Sequence, residues 1–341
     1  RITRSHPQPM PDLDASRVDG ARDALAEQPE TPVGYSRGGE DTAMIMRNIV
    51  LGGLLTLGVF PAFAQQDFSQ VEITTTKVAE GLYMLEGAGG NIGVSVGEDG
   101  IFLIDDQYAP LTEKIVAAVR QIDDGPIRFV LNTHWHGDHT GGNENLGKAG
   151  TLIVAHDNVR QRMSVEQFFT VWDRKVPPSP AGALPVVTFS ETVTFHINGD
   201  EILAFHVDPA HTDGDSMVYF RNANVLRMGD ILFSGTYPFI DVDAGGSIRG
   251  MIAACDRALD VADADTKIIA GHGPMATRKD IEAYRAMLQG VVDAVAPLVA
   301  KGQSLDETGT TDPWAPFNEA WAGEFIDSES KLAIVYRDLS R

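Results

Sequence analysis

Four side chains able to ligate a metal fall within six consecutive residues, His134-Trp135-His136-Gly137-Asp138-His139, and they constrain this chain more than any other feature. The 341 residues include 9 histidines and 48 acids. At that composition, three histidines and one acid at fixed positions arise by chance about once in a thousand such chains. The stretch follows residues 127–131, an apolar run composed like a strand buried on both faces, and enters a Gly-rich turn, Thr140-Gly141-Gly142-Asn143. In extended or loop backbone, residues two apart point the same way. His134 and His136 can therefore grip one ion, while Asp138 and His139, further round the turn, face a second.

Two sites need more ligands, and three candidates stand out. His211 sits in Pro209-Ala210-His211-Thr212-Asp213-Gly214-Asp215, Asp230 in Met228-Gly229-Asp230, and His272 in Ala270-Gly271-His272-Gly273. Each follows a predicted strand and adjoins or lies near a glycine, which lets backbone approach an ion closely. The other histidines read differently. His196 and His206 fall inside predicted strands as ordinary sheet residues, His156 follows a strand and orients a neighbouring loop, and His6 belongs to the leader. Asp105 and Asp106 end a strand; bracing of the metal loop and a plain turn are equally good readings of them. The single cysteine, Cys255, has apolar helix neighbours and reads as core. One cysteine also excludes a disulfide framework, a Cys-rich zinc ribbon and an Fe–S centre.

The order of elements predicts the architecture. Short strands at 71–78, 82–86, 91–96 and 101–105 precede a helix over 110–122, a strand at 127–131, a strand at 151–155 and a helix over 158–167. Residues 168–185 form an aromatic and Pro-rich loop, a candidate lid carrying Phe168, Phe169 and Trp172. Strands follow at 192–197 and 201–207, joined by Asn198-Gly199-Asp200, then at 216–220, 225–228 and 267–270, with helices over 250–261, 279–300 and 329–339. Strands in two groups with helices outside them imply an α/β fold, a four-layer αββα sandwich.

Lys and Arg number 27 against 48 Asp and Glu, a net charge of −21, and so acidic a surface argues against nucleic acid as a partner. Residues 1–43 are polar and carry five prolines, and are read as a non-native or disordered leader with the true start at Met44 or Met46. Residues 44–64 combine Arg47, an apolar run over 49–60 and Ala62-Phe63-Ala64, the pattern of a signal peptide. That places the mature hydrolase domain at 65–341, in the periplasm or secreted, with no stable membrane anchor after cleavage.

With these motifs in this order, residues 71–282 resemble the metallo-β-lactamase superfamily. The resemblance implies an αββα sandwich with a binuclear site at one edge. His134, His136 and His211 would hold the first metal, Asp138, His139 and His272 the second, and Asp230 would bridge them. It also implies two zinc ions, with iron or manganese as alternatives, sharing a hydroxide that Asp138 orients and whose proton it relays. Trp135 and Tyr237 are the candidate contacts to a small-molecule substrate. The implied function is an exported zinc hydrolase opening a cyclic amide or ester. Members with a cysteine at the place of Asp230 often carry a lysine three residues on; Phe233 stands there, which implies weak or promiscuous β-lactam turnover. The alternatives are a glyoxalase II-like thioesterase, a lactonase or a phosphodiesterase, and then an iron-dependent oxygenase.

Overall fold

Every residue of β4 (Ile101–Ile104) is buried, which requires cover on both faces of its sheet. In the computed structural model, which describes residues 67–341 apart from 322, 324 and 325, that cover comes from helices on one side and a second sheet on the other. The leader over 1–43 and the export segment over 44–64 lie outside the described residues.

The described chain opens with an antiparallel meander of β1 (Thr74–Ala79), β2 (Leu82–Glu86), β3 (Ile92–Ser95) and β4. Helix α1 (Thr112–Arg120) crosses to β5 (Ile127–Asn132), parallel to β4. Two short helices, α2 (Gly137–Thr140) and α3 (Asn143–Lys148), lead to β6 (Leu152–His156), followed by α4 (Asp157–Met163). A hairpin of β7 (Gln167–Phe169) and β8 (Arg174–Val176) precedes β9 (Val187–Phe189). The first sheet runs β1-β2-β3-β4-β5-β6-β9.

The second sheet comprises β10 (Thr192–Ile197), β11 (Asp200–His206), β12 (Ser216–Phe220), β13 (Val225–Phe233) and β14 (Lys267–His272) in sequential order. Helix α5 (Ile248–Val261) makes the crossover that lets β14 lie parallel to β13. Helices α6 (Arg278–Ala300), α7 (Leu305–Gly309), α8 (Asn318–Trp321) and α9 (Ser328–Leu339) complete the chain, and no described helix is long and apolar enough to cross a membrane.

Three apolar clusters hold the layers. Alternation along β4 sends Phe102 and Ile104 inward to meet Ile202 and Val218 of the second sheet, and Ile101 and Leu103 outward to meet Ile115 and Val119 of α1. The third cluster packs Leu226 and Met228 of β13 against Met251 and Cys255 of α5, Leu288 and Val291 of α6 and Val335 of α9. Burial of one such large side chain contributes about 1.5–3 kcal/mol. The layers are therefore α, β, β, α, as expected.

The Asn198-Gly199 turn joins β10 to β11 with φ of 54° and 73°, the two positive angles of a tight hairpin. Three expectations need correction. The helix predicted over 158–167 stops at Met163, because the Ser164 hydroxyl donates to the Arg160 carbonyl and the Gln167 amide to that of Arg162, closing the last turn. The predicted loop over 168–185 contains β8 and takes part of β7, so its aromatic residues stand on a hairpin. The strand predicted over 225–228 continues to Phe233, all nine of its residues buried, and Asp230 lies within it.

Candidate metal centre

Asp230 lies at the junction of two groups of ligating side chains. His134, His136, His211 and Asp230 converge so that one ligand atom from each lies within 4.8 Å of the others, and Asp138, His139 and His272 do the same. Asp230 Oδ2 stands 3.7 Å from His134 Nε2, 3.6 Å from His211 Nε2 and 3.3 Å from His272 Nε2, while its Oδ1 is 3.1 Å from His139 Nε2. Asp138 Oδ2 is 3.3 Å from His272 Nε2. All seven positions singled out in the sequence thus come together.

The fold explains the convergence. His134 and His136 follow β5 directly, and α2 turns Asp138 and His139 back over it. His211 comes from the loop after β11, Asp230 from β13 and His272 from the end of β14. A Cβ on Gly271 would lie 2.2 Å from Asp230 Oδ1, and one on Gly90 2.1 Å from His139 Cε1, so these glycines make room for ligand side chains.

Hydrogen bonds fix which ring nitrogen faces inward. His136 Nε2 is 3.0 Å from Asp241 Oδ2, His211 Nδ1 is 2.8 Å from the Phe239 carbonyl, and His139 Nδ1 is 3.0 Å from Asp105 Oδ2. Those oxygens only accept, so each ring donates outward. Thr133 Oγ1 donates to Asp105 at 2.9 Å, leaving it to accept from His134 Nδ1 at 3.1 Å. The inner ring nitrogens therefore converge. His136 Nδ1 and His211 Nε2 face across 2.9 Å, and His134 Nε2 is buried without any hydrogen bond. Ring nitrogens that face one another in this way need a shared cation, a proton or a metal, between them. Convergent imidazole nitrogens with carboxylates are a donor set for a divalent transition metal, so the residues fit a dinuclear centre.

The charges say the same. Burial, then the neighbouring His139, pushes His134 well below the usual imidazole range, and burial brings His211 down to about 4. Burial also works against a proton on His272, but Asp230 and Asp138 outweigh it and lift the ring to about 9. Burial likewise opposes the Asp138 carboxylate, yet His139 and His272 hold it at about 2. The buried carboxylate of Asp230 and the half-buried one of Asp138 demand positive charge here.

Of the two readings of Asp105, the brace holds: with φ of 66°, it accepts from the Thr133 amide at 2.7 Å, from Arg227 Nη2 at 2.8 Å and from His139, and so steadies the metal loop. Its neighbour Asp106 instead accepts from the Gly142 amide at 2.9 Å, and burial raises its pKa well above the carboxylate range. Asp215 accepts from the His211 and Thr212 amides at 2.6 and 2.9 Å and so shapes the His211 loop. Its place four residues after His211 was a usable signal; Asp241, Phe239 and Arg227 had none.

The centre opens into a cleft of about 220 Å³ lined by Trp135, Phe169, Trp172 and Phe239, with Tyr108 and Arg174. Trp135 stacks on Phe169 at 5.6 Å, and Trp172 on Phe239 at 4.7 Å. Tyr237 is a correction: it lies in the packed interior, its hydroxyl 3.1 Å from Asn318 Oδ1 and Lys331 Nζ 3.9 Å above its ring, outside the cleft lining. Its backbone follows β13 into a segment that dives under α9, which carries Lys331. His156 caps α4 by accepting from the Asn158 amide and stacks on His206 at 3.7 Å. Cys255 is wholly buried in the core.

The αββα sandwich thus carries two His/Asp clusters that fit a dinuclear metal centre. The sequence model of the metallo-beta-lactamase superfamily matches residues 86–272, and the chain belongs to that superfamily. It is 26% identical over 149 residues to the 2,4-dinitroanisole O-demethylase subunit alpha of Nocardioides sp. (strain JS1661), covering 42% of each chain. It is 29% identical over 109 residues to a hydroxyacylglutathione hydrolase of Pelagibacter ubique, covering 32% of this chain and 37% of that one. With the lactamase-like protein aptB of Emericella nidulans it shares 24% over 218 residues, 64% of this chain and 63% of that one. The chain thus spans less than two thirds of the length of each of these three relatives. A metallo-beta-lactamase from Pontibacter korlensis superposes with a TM-score of 0.53 at 19% identity, over 64% of this chain and 99% of that one, a likeness of fold.

Proposed function

We propose that the chain is an exported dinuclear zinc hydrolase that opens a cyclic amide or ester, β-lactamase-like and of weak or promiscuous specificity. The observation that carries this reading is the pair of ligand clusters meeting at Asp230 beside a cleft whose described lining residues include no Ser, Thr or Cys to act as nucleophile. His134, His136 and His211 would hold one cation, Asp138, His139 and His272 the other, with Asp230 between them. Two bound divalent cations supply Lewis acidity and make water ionisable at neutral pH, its pKa falling from ~15.7 to ~7. Asp138, partly exposed to the cleft, orients the attacking water and accepts its proton. The aromatic wall excludes bulk water and seats an apolar part of the substrate. An imidazole-rich donor set suits zinc, with manganese or iron as alternatives. In this reading residues 44–64 direct export to the periplasm or beyond, 65–341 form the hydrolase, and no nucleic acid takes part.

The test is metal-stripped protein restored with zinc, manganese or iron and offered nitrocefin, a lactone, a thioester and a phosphodiester. Turnover of nitrocefin or the lactone, greatest with zinc, supports the reading; silence on all four with both metals bound defeats it. A thioesterase is the second reading, favoured by the hydroxyacylglutathione hydrolase among the relatives, and fastest turnover of the thioester decides for it. The lactone and phosphodiester arms separate the lactonase and phosphodiesterase alternatives. Bound iron with oxygen uptake marks an oxygenase.

A further inference from the structure

We propose that Arg174 anchors an anionic group of the substrate, a carboxylate, while the substrate's apolar body stacks on the aromatic wall of the cleft. The inference rests on the hydrolase reading and narrows its substrate class. Among the described residues lining the cleft, Arg174 is the one Lys or Arg. It stands exposed on β8, with its guanidinium 5.8 Å from the centroid of the Phe169 ring, an arrangement that holds the cation against the cleft wall.

Its neighbours have partners. Lys175 pairs with Glu166 at 2.8 Å, Arg162 with Asp213 at 2.6 Å, and Arg337 with Asp243. Among the described residues Arg174 forms no ion pair. In a chain of net charge −21, a cation left without a carboxylate at the mouth of a site has a planar fork of donors to offer a ligand. The two carboxylates of the lining, Asp138 and Asp230, are engaged with the histidine clusters.

The measurement is equilibrium binding followed by tryptophan fluorescence, since Trp135 and Trp172 line the cleft. Zinc-loaded full chain is titrated with 3-phenylpropionate and with the uncharged 3-phenylpropionamide, for the parent and for Arg174→Gln and Arg174→Lys. The parent should bind the carboxylate more tightly than the amide. Arg174→Gln should weaken the carboxylate about tenfold and leave the amide unchanged, and Arg174→Lys, which keeps the charge but not the planar fork, should retain only part of the preference. Equal binding of both probes by the parent, absence of binding of either, or an equal loss of both in Arg174→Gln overturns the proposal. Binding needs no turnover, so silence in the substrate panel with these affinities intact would defeat the hydrolase reading alone.

Discussion

Removal of Asp241 should cost the protein its first metal while sparing the second. The carboxylate is buried, and its Oδ2 stands 3.0 Å from Nε2 of His136, whose other nitrogen faces His211 across 2.9 Å. The hydrogen bond fixes the tautomer and the plane of the ring and raises its basicity as a ligand. In Asp241→Ala the His136 ring can carry its proton on the inward nitrogen and must lose it before binding. Loss of such a support costs roughly 10–100-fold in metal affinity, about 1.4–2.8 kcal/mol. Asp241→Asn keeps one carbonyl oxygen, which can accept from His136 but not also from the Ala244 amide that Asp241 Oδ1 holds at 3.0 Å, so its loss should still be smaller than that of Asp241→Ala. Zinc titration against a chromophoric chelator should show two strong sites in the parent, and one strong and one weakened site in Asp241→Ala. Two unchanged sites in a folded Asp241→Ala protein would refute the role given to this pair, and a loss in Asp241→Asn as deep as in Asp241→Ala would refute the ordering.

Three further outcomes are expected. His134→Ala and Asp230→Ala should each abolish hydrolysis and lower the metal content read by elemental analysis, since Asp230 meets both clusters; full turnover with two metals bound would contradict the assignment. Chelation should lower the melting temperature, because metal at a hundredfold excess over its Kd stabilises the fold by about 2.7 kcal/mol per site; a calorimetric scan unchanged by chelator would exclude resident metal. Cys255 should resist thiol reagents in the native protein and react on unfolding, since burial, then Asp256, raises the thiol to about 12; rapid labelling of the folded chain would count against the packing described.

Much of the site was legible because its signal is local. The spacing of His134, His136, Asp138 and His139 and the strand-terminal placement of His211 and His272 are properties of short segments, and so is the Asn198-Gly199 turn. Tyr237 misled for the complementary reason: proximity to Asp230 along the chain says nothing about which way the chain turns after β13, and there it turns under α9. The hairpin at Gln167–Val176 escaped because strands of three residues carry too little periodicity to register.

The donor atoms, the short segments that carry them and the order of elements behind an αββα sandwich are properties of the sequence alone. Tertiary structure decided what surrounds those atoms. Asp241 lies 105 residues from His136, Arg227 lies 122 from Asp105, and Arg174 reaches the cleft on a separate hairpin. Ligand spacing is written into a few consecutive residues, whereas outward hydrogen bonds and cleft walls are pairings between distant segments that exist only once the two sheets have packed.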